Sequence, residues 1–183
     1  MAGARVEIRN DDDRPLATGE VGSVYFKAPE QGRFEYFRDG EKTASSYRGN
    51  FFTLGDQGYF DAAGYLFLTG RTSELIISGG VNIYPAEIDA VLLMHPSVAD
   101  AATVGAPDDE WGERVIAVVQ LEDGIDPSSG LADELIQFCR ERLAHYKCPR
   151  SIEWDPELPR SAAGKIYRRA VRDRYWAGRE RKI

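Results

Sequence analysis

The chain has 183 residues, of which 43% are apolar, and a formal net charge of −7, so it can bury a real core and is unsuited to nonspecific nucleic-acid binding. Its two cysteines, Cys139 and Cys148, are nine residues apart and form no CxxC pair, which argues against a disulfide framework and against a metal site. No apolar run approaches the ~20 residues that span a bilayer, and the first residues lack the apolar stretch of a signal peptide, so we expect a soluble cytoplasmic protein without a transmembrane segment.

The first 70 residues alternate short apolar runs with turn residues, which is typical of antiparallel β-structure. The runs are VEIR, VGSVYFKAP and GYFDAAGYLFLTG. In the last of these, Asp61 to Gly64 separates two aromatic-rich stretches and predicts a hairpin, because glycine tolerates the backbone conformation that a tight turn needs. Asp56 lies between two glycines in FFTLGDQGYF, where a carboxylate is most often a turn residue.

Beyond residue 70 the pattern changes to mixed strands and helices. In LIISGGVNIYP two apolar runs flank Ser78, Gly79 and Gly80, as in a tight hairpin. Further helices are predicted for PAEIDAVLLMH, for LADELIQFCRERLAHY with Cys139 on its apolar face, and from about Lys165 to Trp176; strands are predicted for VADAATVGA, RVIAVVQLE and SIEW. The pattern predicts a small α+β domain over residues 71–183, preceded by an antiparallel β-rich segment over 1–70.

The stretch LPRSAAGKIYRR contains a Gly-Lys pair that invites comparison with a phosphate-binding loop. A Walker loop is excluded, because Pro159 replaces its first glycine and Ile166 replaces the hydroxyl that would hold magnesium. What remains is Lys165 on a loop of small residues, just before the predicted helix. Such a lysine can meet an anion that arrives from elsewhere, or it can simply be solvated, and the residues alone leave both interpretations open.

The end of the chain is basic although the rest is acidic. From Lys165 to Ile183 there are eight Lys or Arg and two acidic residues, a balance of +6, so the first 164 residues carry −7 − 6 = −13. A solvated helix face is the simplest interpretation of the basic segment. A nucleic-acid-binding tail is disfavoured, because no groove-reading motif accompanies it.

Taken together, in this order and at these separations, the motifs resemble the C-terminal region of the adenylate-forming (AMP-binding) enzymes, in the branch of the acyl-CoA synthetases and fatty-acid-CoA ligases. The resemblance covers nearly the whole chain. It is carried by GEVGSVYFKAP, FRDGEKTASSYRGNFFTLGDQGYFDAAGYLFLTGR, IISGGVNIYPAEID, HPSVADAATVGAPDDEWGERVIAVVQ, AHYKCPR and LPRSAAGKIYRR.

The resemblance implies a two-step reaction and a role for each motif. A carboxylic acid and ATP give an acyl-adenylate and pyrophosphate, and the acyl group then passes to the thiol of coenzyme A, leaving AMP, while the C-terminal domain swivels between the steps. It implies that Asp56 accepts hydrogen bonds from the ribose hydroxyls and that Arg71 lies beside ribose and phosphate. Lys165 is then the adenylation lysine, and the Ser78-Gly79-Gly80 turn lines the pantetheine channel.

Two departures qualify this resemblance. At the hinge, which the family usually places at an Asp or a Lys, this chain has Ser73. The ATP-phosphate loop, the magnesium site and the acyl pocket belong to a large N-terminal domain that these residues do not include, so residues 1–70 resemble only its last β-rich section. We therefore expect the chain to be inactive alone and to need that domain, or a separate chain that carries it, for activity. Mg2+ is expected only in the complete enzyme. The alternative is a noncatalytic module that forms a homodimer or docks on a partner through its uncovered apolar surface.

Overall fold

The computed structural model describes residues 5–179, which form two compact units that divide between Ser73 and Glu74. Each unit is built on a mainly antiparallel sheet with few helices, which confirms the predicted α+β class. The sequence predicts a boundary between two enzyme domains after residue 70, and this domain assignment stays a prediction. Within residues 5–179, no helix has the length and apolar character needed to cross a membrane.

The first unit is a six-stranded sheet with one short helix. Its elements are β1 (Val6–Arg9), β2 (Gly22–Lys27), α1 (Gly40–Ser46), β3 (Tyr47–Arg48), β4 (Phe51–Phe52), β5 (Asp56–Phe60) and β6 (Leu66–Arg71). The strands follow the order β3-β4-β2-β5-β6, and β1 also pairs with β2. Every one of these pairings is antiparallel, as the alternation of short apolar runs and turn residues predicts.

The β5–β6 hairpin has the turn that the sequence predicts. The Asp61 carboxylate accepts hydrogen bonds from the backbone N–H groups of Ala63 and Tyr65, at 3.0 and 2.8 Å, and Gly64 has a positive φ of 82°. This conformation is open to glycine and strained for most other residues. A register shift between Gln57 and Gly58 makes the first residue of β5, Asp56, and the last of β6, Arg71, cross-strand partners.

The second unit is a five-stranded sheet with helices on both faces. Its elements are β7 (Ile76–Ser78), β8 (Val81–Ile83), α2 (Pro85–Leu92), β9 (Val98–Asp108), β10 (Gly112–Leu121), α3 (Ser129–Arg140), β11 (Ser151–Trp154) and α4 (Arg168–Asp173). The strands follow the order β11-β10-β7-β8, with β9 on β10. β11 runs parallel to β10, whereas the other pairs are antiparallel.

Alternate residues of β9 and β10 enter two different cores. One core joins sheet residues such as Ala101 and Val115 to α2 and α3, and the other joins Ala102 and Ile116 to the segment that carries Leu158 and Val171. Successive side chains of a strand point to opposite faces, so both faces of this hairpin are covered. α4 and the chain that leads into it therefore pack on the face opposite α2 and α3.

The predicted core position of Cys139 is confirmed, because its side chain is fully buried on α3. Burial raises the pKa of its thiol to about 12, with a smaller contribution from the neighbouring Cys148. The thiol is therefore protonated at neutral pH, and this cysteine is a packing residue and not a nucleophile.

All three predicted helices are shorter than the sequence pattern indicates, and α2 ends at Leu92 instead of continuing to His95. The helix expected from Lys165 begins only at Arg168, because the preceding residues are hydrogen-bonded in a turn of their own. α3 ends at Arg140 instead of continuing to residue 146, and a 3-10 turn at His145–Lys147 then leads into the buried Cys148. At the start of α4, backbone hydrogen bonds of the local turn compete with the helix, and after α3 the chain turns so that Cys148 is buried.

Candidate functional site

The structure brings together Asp56 and Arg71, the two residues predicted to bind nucleotide. They are cross-strand partners at the open end of the β5–β6 hairpin, and the Arg71 Nε lies 3.2 Å from the Asp56 Oδ1. The Asp56 side chain is 22% exposed and that of Arg71 is 61% exposed. Since ion pairs this open to solvent contribute little to stability, the guanidinium can leave the carboxylate for a ligand at small cost. The carboxylate can accept hydrogen bonds from ribose hydroxyls, and the guanidinium beside it can donate to a phosphate.

The backbone around this pair is fixed by Gln57, a residue that the sequence did not single out. Its side-chain amide donates to the hydroxyl of Ser23 at 2.9 Å and to that of Thr72 at 2.7 Å, and it is only 7% exposed. The backbone N–H of Thr72 also donates to the Gly55 carbonyl at 2.9 Å. The predicted hinge residue, Ser73, comes next, inside a 3-10 turn over Thr72–Glu74 and at the end of the first unit.

Lys165 lies on a tight hairpin turn and does not lead directly into a helix. The N–H of Ser161 donates to the Lys165 carbonyl at 2.7 Å, and the N–H of Gly164 donates to the Ser161 carbonyl at 2.8 Å. Gly164 has a positive φ of 77°, as the turn requires. The sequence placed Lys165 on a loop of small residues directly before a helix, and the structure corrects this to a hydrogen-bonded turn that we call the lysine turn, residues 159–167.

The lysine turn directs the Lys165 side chain outward. Its neighbour Ile166 is half-buried and packs against the core that contains Leu158 and Val171. Lys165 itself is exposed at the bend that precedes Ile166, so its side chain is presented to solvent. An ammonium held this way suits an anionic ligand that reaches it from outside the unit.

Ser78, Gly79 and Gly80 form the turn between β7 and β8. Both glycines have positive φ, 58° and 78°, so both positions favour glycine. The Gly79 N–H donates to the Trp111 carbonyl at 2.8 Å, and the ring of Trp111 covers the same glycine. A Cβ at Gly79 would lie 2.5 Å from a ring carbon of Trp111, whereas at Gly80 it would meet open space.

Trp111 and Glu113 support this turn, and both were treated in the sequence only as parts of a connection. Trp111 is 44% exposed, and the Arg150 guanidinium lies over its ring at 5.7 Å. Glu113 is 4% exposed, and its Oε2 accepts from the Ile77 N–H at 3.1 Å. The motif WGE was a detectable signal, but nothing in a single sequence links it to the glycines more than 30 positions earlier.

The predicted site residues are thus divided between the two units. Asp56, Arg71 and Ser73 belong to the first unit; the Ser78–Gly80 turn and Lys165 belong to the second. In the part of the chain that the structure describes, no group of three or more His, Cys, Asp or Glu side chains is placed to hold a metal ion. The functional roles of these residues stay predictions.

Residues 87–165 match the model of the AMP-binding enzyme C-terminal domain. The chain is also 44% identical over 161 residues to a 2-succinylbenzoate-CoA ligase of Geobacillus kaustophilus, a match covering 88% of this chain and 32% of that protein. The chain belongs to the adenylate-forming superfamily. Its match to this superfamily begins before the C-terminal domain and includes the β-rich first unit, because the aligned region covers most of the chain.

Other members of the superfamily extend the comparison. The fatty acid-[acyl-carrier-protein] ligase ScoC of Streptomyces coeruleorubidus is 40% identical over 181 residues, covering 99% of this chain and 34% of that protein. The solved structure of o-succinylbenzoate CoA synthetase from Bacillus subtilis, in complex with its acyl-adenylate intermediate, matches with a TM-score of 0.83 at 36% identity, covering 100% of this chain and 36% of that one. The chain spans about a third of the length of the curated relatives it matches.

Proposed function

We propose that this chain is the C-terminal part of an ATP-dependent acyl-CoA synthetase, which converts a carboxylic acid, ATP and coenzyme A into acyl-CoA, AMP and pyrophosphate. The observation that carries the proposal is the lysine turn, which presents an exposed ammonium from a domain of the adenylate-forming superfamily. An acyl-adenylate forms through a transition state that builds up negative charge, and a positive group fixed beside it stabilises that state.

The first unit would supply nucleotide contacts. The Asp56 carboxylate is well suited to accept hydrogen bonds from the two ribose hydroxyls, since an ionised carboxylate is an acceptor only. Arg71, held loosely by Asp56 at 3.2 Å, would turn its guanidinium towards ribose and phosphate when nucleotide binds. This exchange replaces one exposed charge pair by another and needs no rearrangement of the sheet.

Lys165 would serve the first half-reaction only. Its ammonium would lie between the substrate carboxylate and the α-phosphate while these join, and the unit that carries it would then move away. Because the lysine turn is hydrogen-bonded, we infer that the whole unit carries the lysine to the nucleotide and that the turn does not unfold on the way.

The Ser78–Gly80 turn would line the channel for the thiol acceptor in the second half-reaction. At Gly80, where a Cβ would meet open space, the absence of a side chain leaves room for a narrow pantetheine arm beside the backbone, whereas the Trp111 ring occupies the space over Gly79. Coenzyme A is the acceptor that we favour, because the Geobacillus and Bacillus relatives are named as CoA ligases or synthetases.

The test of this function is a comparison of the two half-reactions in the complete ligase, with and without Lys165. We expect Lys165→Ala to slow acyl-adenylate formation by about 10²- to 10³-fold, which is the usual effect of removing one preorganised charge contact. Acyl transfer to coenzyme A from preformed acyl-adenylate should stay close to wild type. ATP-pyrophosphate exchange measures the first step, and release of acyl-CoA measures the second.

The matched control is Arg169→Ala, which removes a positive charge four residues away whose side chain is 71% exposed. It should leave both half-reactions nearly unchanged, because exposed charge pairs contribute little. An equal loss of both half-reactions in Lys165→Ala, or no loss, would contradict the proposed role of Lys165. A complete protein that adenylates no acid would instead favour the noncatalytic interaction module.

A further inference from the structure

We propose that Arg160 is a positioning residue for Lys165: its guanidinium ties the lysine turn to strand β9 and fixes the peptide from which the Lys165 side chain projects. This inference rests on the proposed function, because it gives Arg160 importance only if Lys165 acts in adenylation. No comparison assigns a role to Arg160, and it lies outside the residues that we expect to contact nucleotide or acceptor.

The contacts of Arg160 span the turn and the sheet. Its Nη2 lies 2.5 Å from the Oδ2 of Asp100, and its Nη1 donates to the Gly164 carbonyl at 3.2 Å. The backbone of Arg160 also bridges to that of Ile166, across the same turn. One side chain therefore joins the tip of the lysine turn to an acidic residue on β9.

Asp100 is a firm anchor for this contact. It lies inside β9, its side chain is 20% exposed, and its other carboxylate oxygen, Oδ1, accepts from the Ala101 N–H at 2.9 Å. Because both oxygens are engaged, the carboxylate cannot rotate freely. The guanidinium is thus held against a rigid strand and not against another mobile side chain.

The contact with the Gly164 carbonyl decides the direction of Lys165. This carbonyl and the N–H of Lys165 belong to the same planar peptide, so a hydrogen bond to the oxygen orients the whole unit. The Cα–Cβ bond of Lys165 leaves from the edge of this peptide. Rotation of the peptide would displace the ammonium, which lies at the end of a long side chain, from the position that catalysis needs.

The opposite end of the turn is anchored independently. Arg168 donates through Nη1 to the Thr103 carbonyl at 3.0 Å and lies 2.7 Å from the Asp89 Oδ2. Thr103, like Asp100, is on β9. Two arginines thus hold the segment on the same strand, Arg160 before Lys165 and Arg168 after it. Of the two, Arg160 is the one that contacts Gly164 at the tip of the turn.

An arginine suits this position for a geometric reason. Its planar guanidinium presents donors in a fixed fork, so it can meet a carboxylate and a carbonyl together. A lysine can meet the carboxylate as a point charge but loses the defined geometry towards the carbonyl. Arg160→Lys is therefore expected to retain the ion pair and still perturb the turn.

We expect Arg160→Gln to slow adenylation about tenfold, because misplacing a catalytic group by about 1 Å can cost up to 10²-fold. The KM for ATP should change by less than about twofold, since the lost interaction acts on the transition state and not on substrate binding. Acyl transfer from preformed acyl-adenylate should be unchanged. Asp100→Asn should slow adenylation in the same direction, and the double variant should be no slower than Arg160→Gln alone, because both changes break one contact.

A second measurement uses the 183-residue chain and needs no activity assay. Amide hydrogen exchange at Ser161 and Gly164 reports the two backbone hydrogen bonds that close the turn. Exchange at both should be several-fold faster in Arg160→Gln than in the wild type. The matched control is Arg174→Gln: Arg174 is 48% exposed and pairs with Asp155 at 2.6 Å, much as Arg160 is 44% exposed and pairs with Asp100. It should change neither exchange at these amides nor adenylation.

The outcomes separate this inference from the function on which it rests. If Lys165→Ala leaves adenylation intact, the proposed function is wrong and this inference is wrong with it. If Lys165→Ala is impaired while Arg160→Gln adenylates normally, only the role of Arg160 is overturned. Equal losses in both half-reactions for Arg160→Gln would also overturn it, because they would indicate general destabilisation.

Discussion

At the scale of single residues, the two glycines of the β7–β8 turn offer a direct comparison. Both have positive φ, but only Gly79 lies under the Trp111 ring. We predict that Gly80→Ala lowers the free energy of unfolding by roughly 1 kcal/mol, the cost of a left-handed alanine. Gly79→Ala should cost about 1 to 3 kcal/mol more, because the new methyl group must displace the indole. Urea denaturation of the chain, followed by circular dichroism, measures both.

The control for this prediction is the same pair of substitutions in a Trp111→Ala background. With the ring removed, Gly79→Ala and Gly80→Ala should destabilise the chain equally, since only the backbone cost is left. If Gly79→Ala stays the more harmful change in that background, the contact with the ring is not its cause.

The same scale shows what the sequence could predict. Lys165, Asp56 and the paired glycines were singled out because a motif in one short segment carries each of them, and their roles stay predictions. Arg160, Gln57 and Glu113 were missed because their importance lies in contacts with distant residues, such as Gln57 with Ser23 or Glu113 with Ile77. A single sequence does not reveal such pairs, since charge and polarity alone fit an exposed side chain equally well.

At the scale of elements, α4 depends on the partly buried arginine at its start, Arg168, whose side chain is 14% exposed. The helix has six residues, too few to be stable alone, and is held by Val171 and Arg168. Burial by itself would lower the pKa of Arg168, but the carboxylates of Asp89 and Glu74 outweigh it and the net shift is upward. The guanidinium therefore stays charged and compensates Asp89, whose own pKa burial raises.

We predict that Arg168→Met lowers the free energy of unfolding by about 3 to 5 kcal/mol at pH 7, because it leaves the Asp89 carboxylate buried without its partner. Arg174→Met, which breaks an exposed pair, should cost less than about 1 kcal/mol. Because burial raises the folded pKa of Asp89, its carboxyl binds a proton more readily when the chain is folded. The loss of unfolding free energy in Arg168→Met should therefore shrink as the pH falls from 7 to 5. Denaturation at both pH values is the measurement, and a deficit that grows at low pH would contradict this account.

The elements also show where sequence patterns stop being sufficient. The β5–β6 and β7–β8 hairpins were predicted because glycine and aspartate mark their turns locally. The start of α4 was misplaced because Gly-Lys followed by basic residues favours a helix, while the Pro159 carbonyl and the Ser161 N–H are used to close the lysine turn. Hydrogen bonds that compete with the helix decided the boundary.

At the scale of the whole molecule, the proposed contacts for one reaction are divided between two compact units. Asp56 and Arg71 would hold the nucleotide from the first unit, while Lys165 and the Ser78–Gly80 turn would act from the second. The division predicted after residue 70 assigned Arg71 to the second domain, whereas the compact units divide after Ser73 and leave Arg71 in the first.

The chain is about a third as long as the relatives that it matches. ATP carries several negative charges on its phosphates. The resemblance to the superfamily implies that the loop which holds these phosphates belongs to the large N-terminal domain. We predict that the 183-residue chain alone shows no ATP-pyrophosphate exchange, and that exchange appears when the N-terminal portion is supplied as a second chain or by fusion. The same mixture made with Lys165→Ala should exchange about 10²-fold more slowly or worse, which ties the restored activity to this chain. Exchange catalysed by the isolated chain would contradict the division of labour, because Arg71 and Lys165 would then have to hold the triphosphate without that domain.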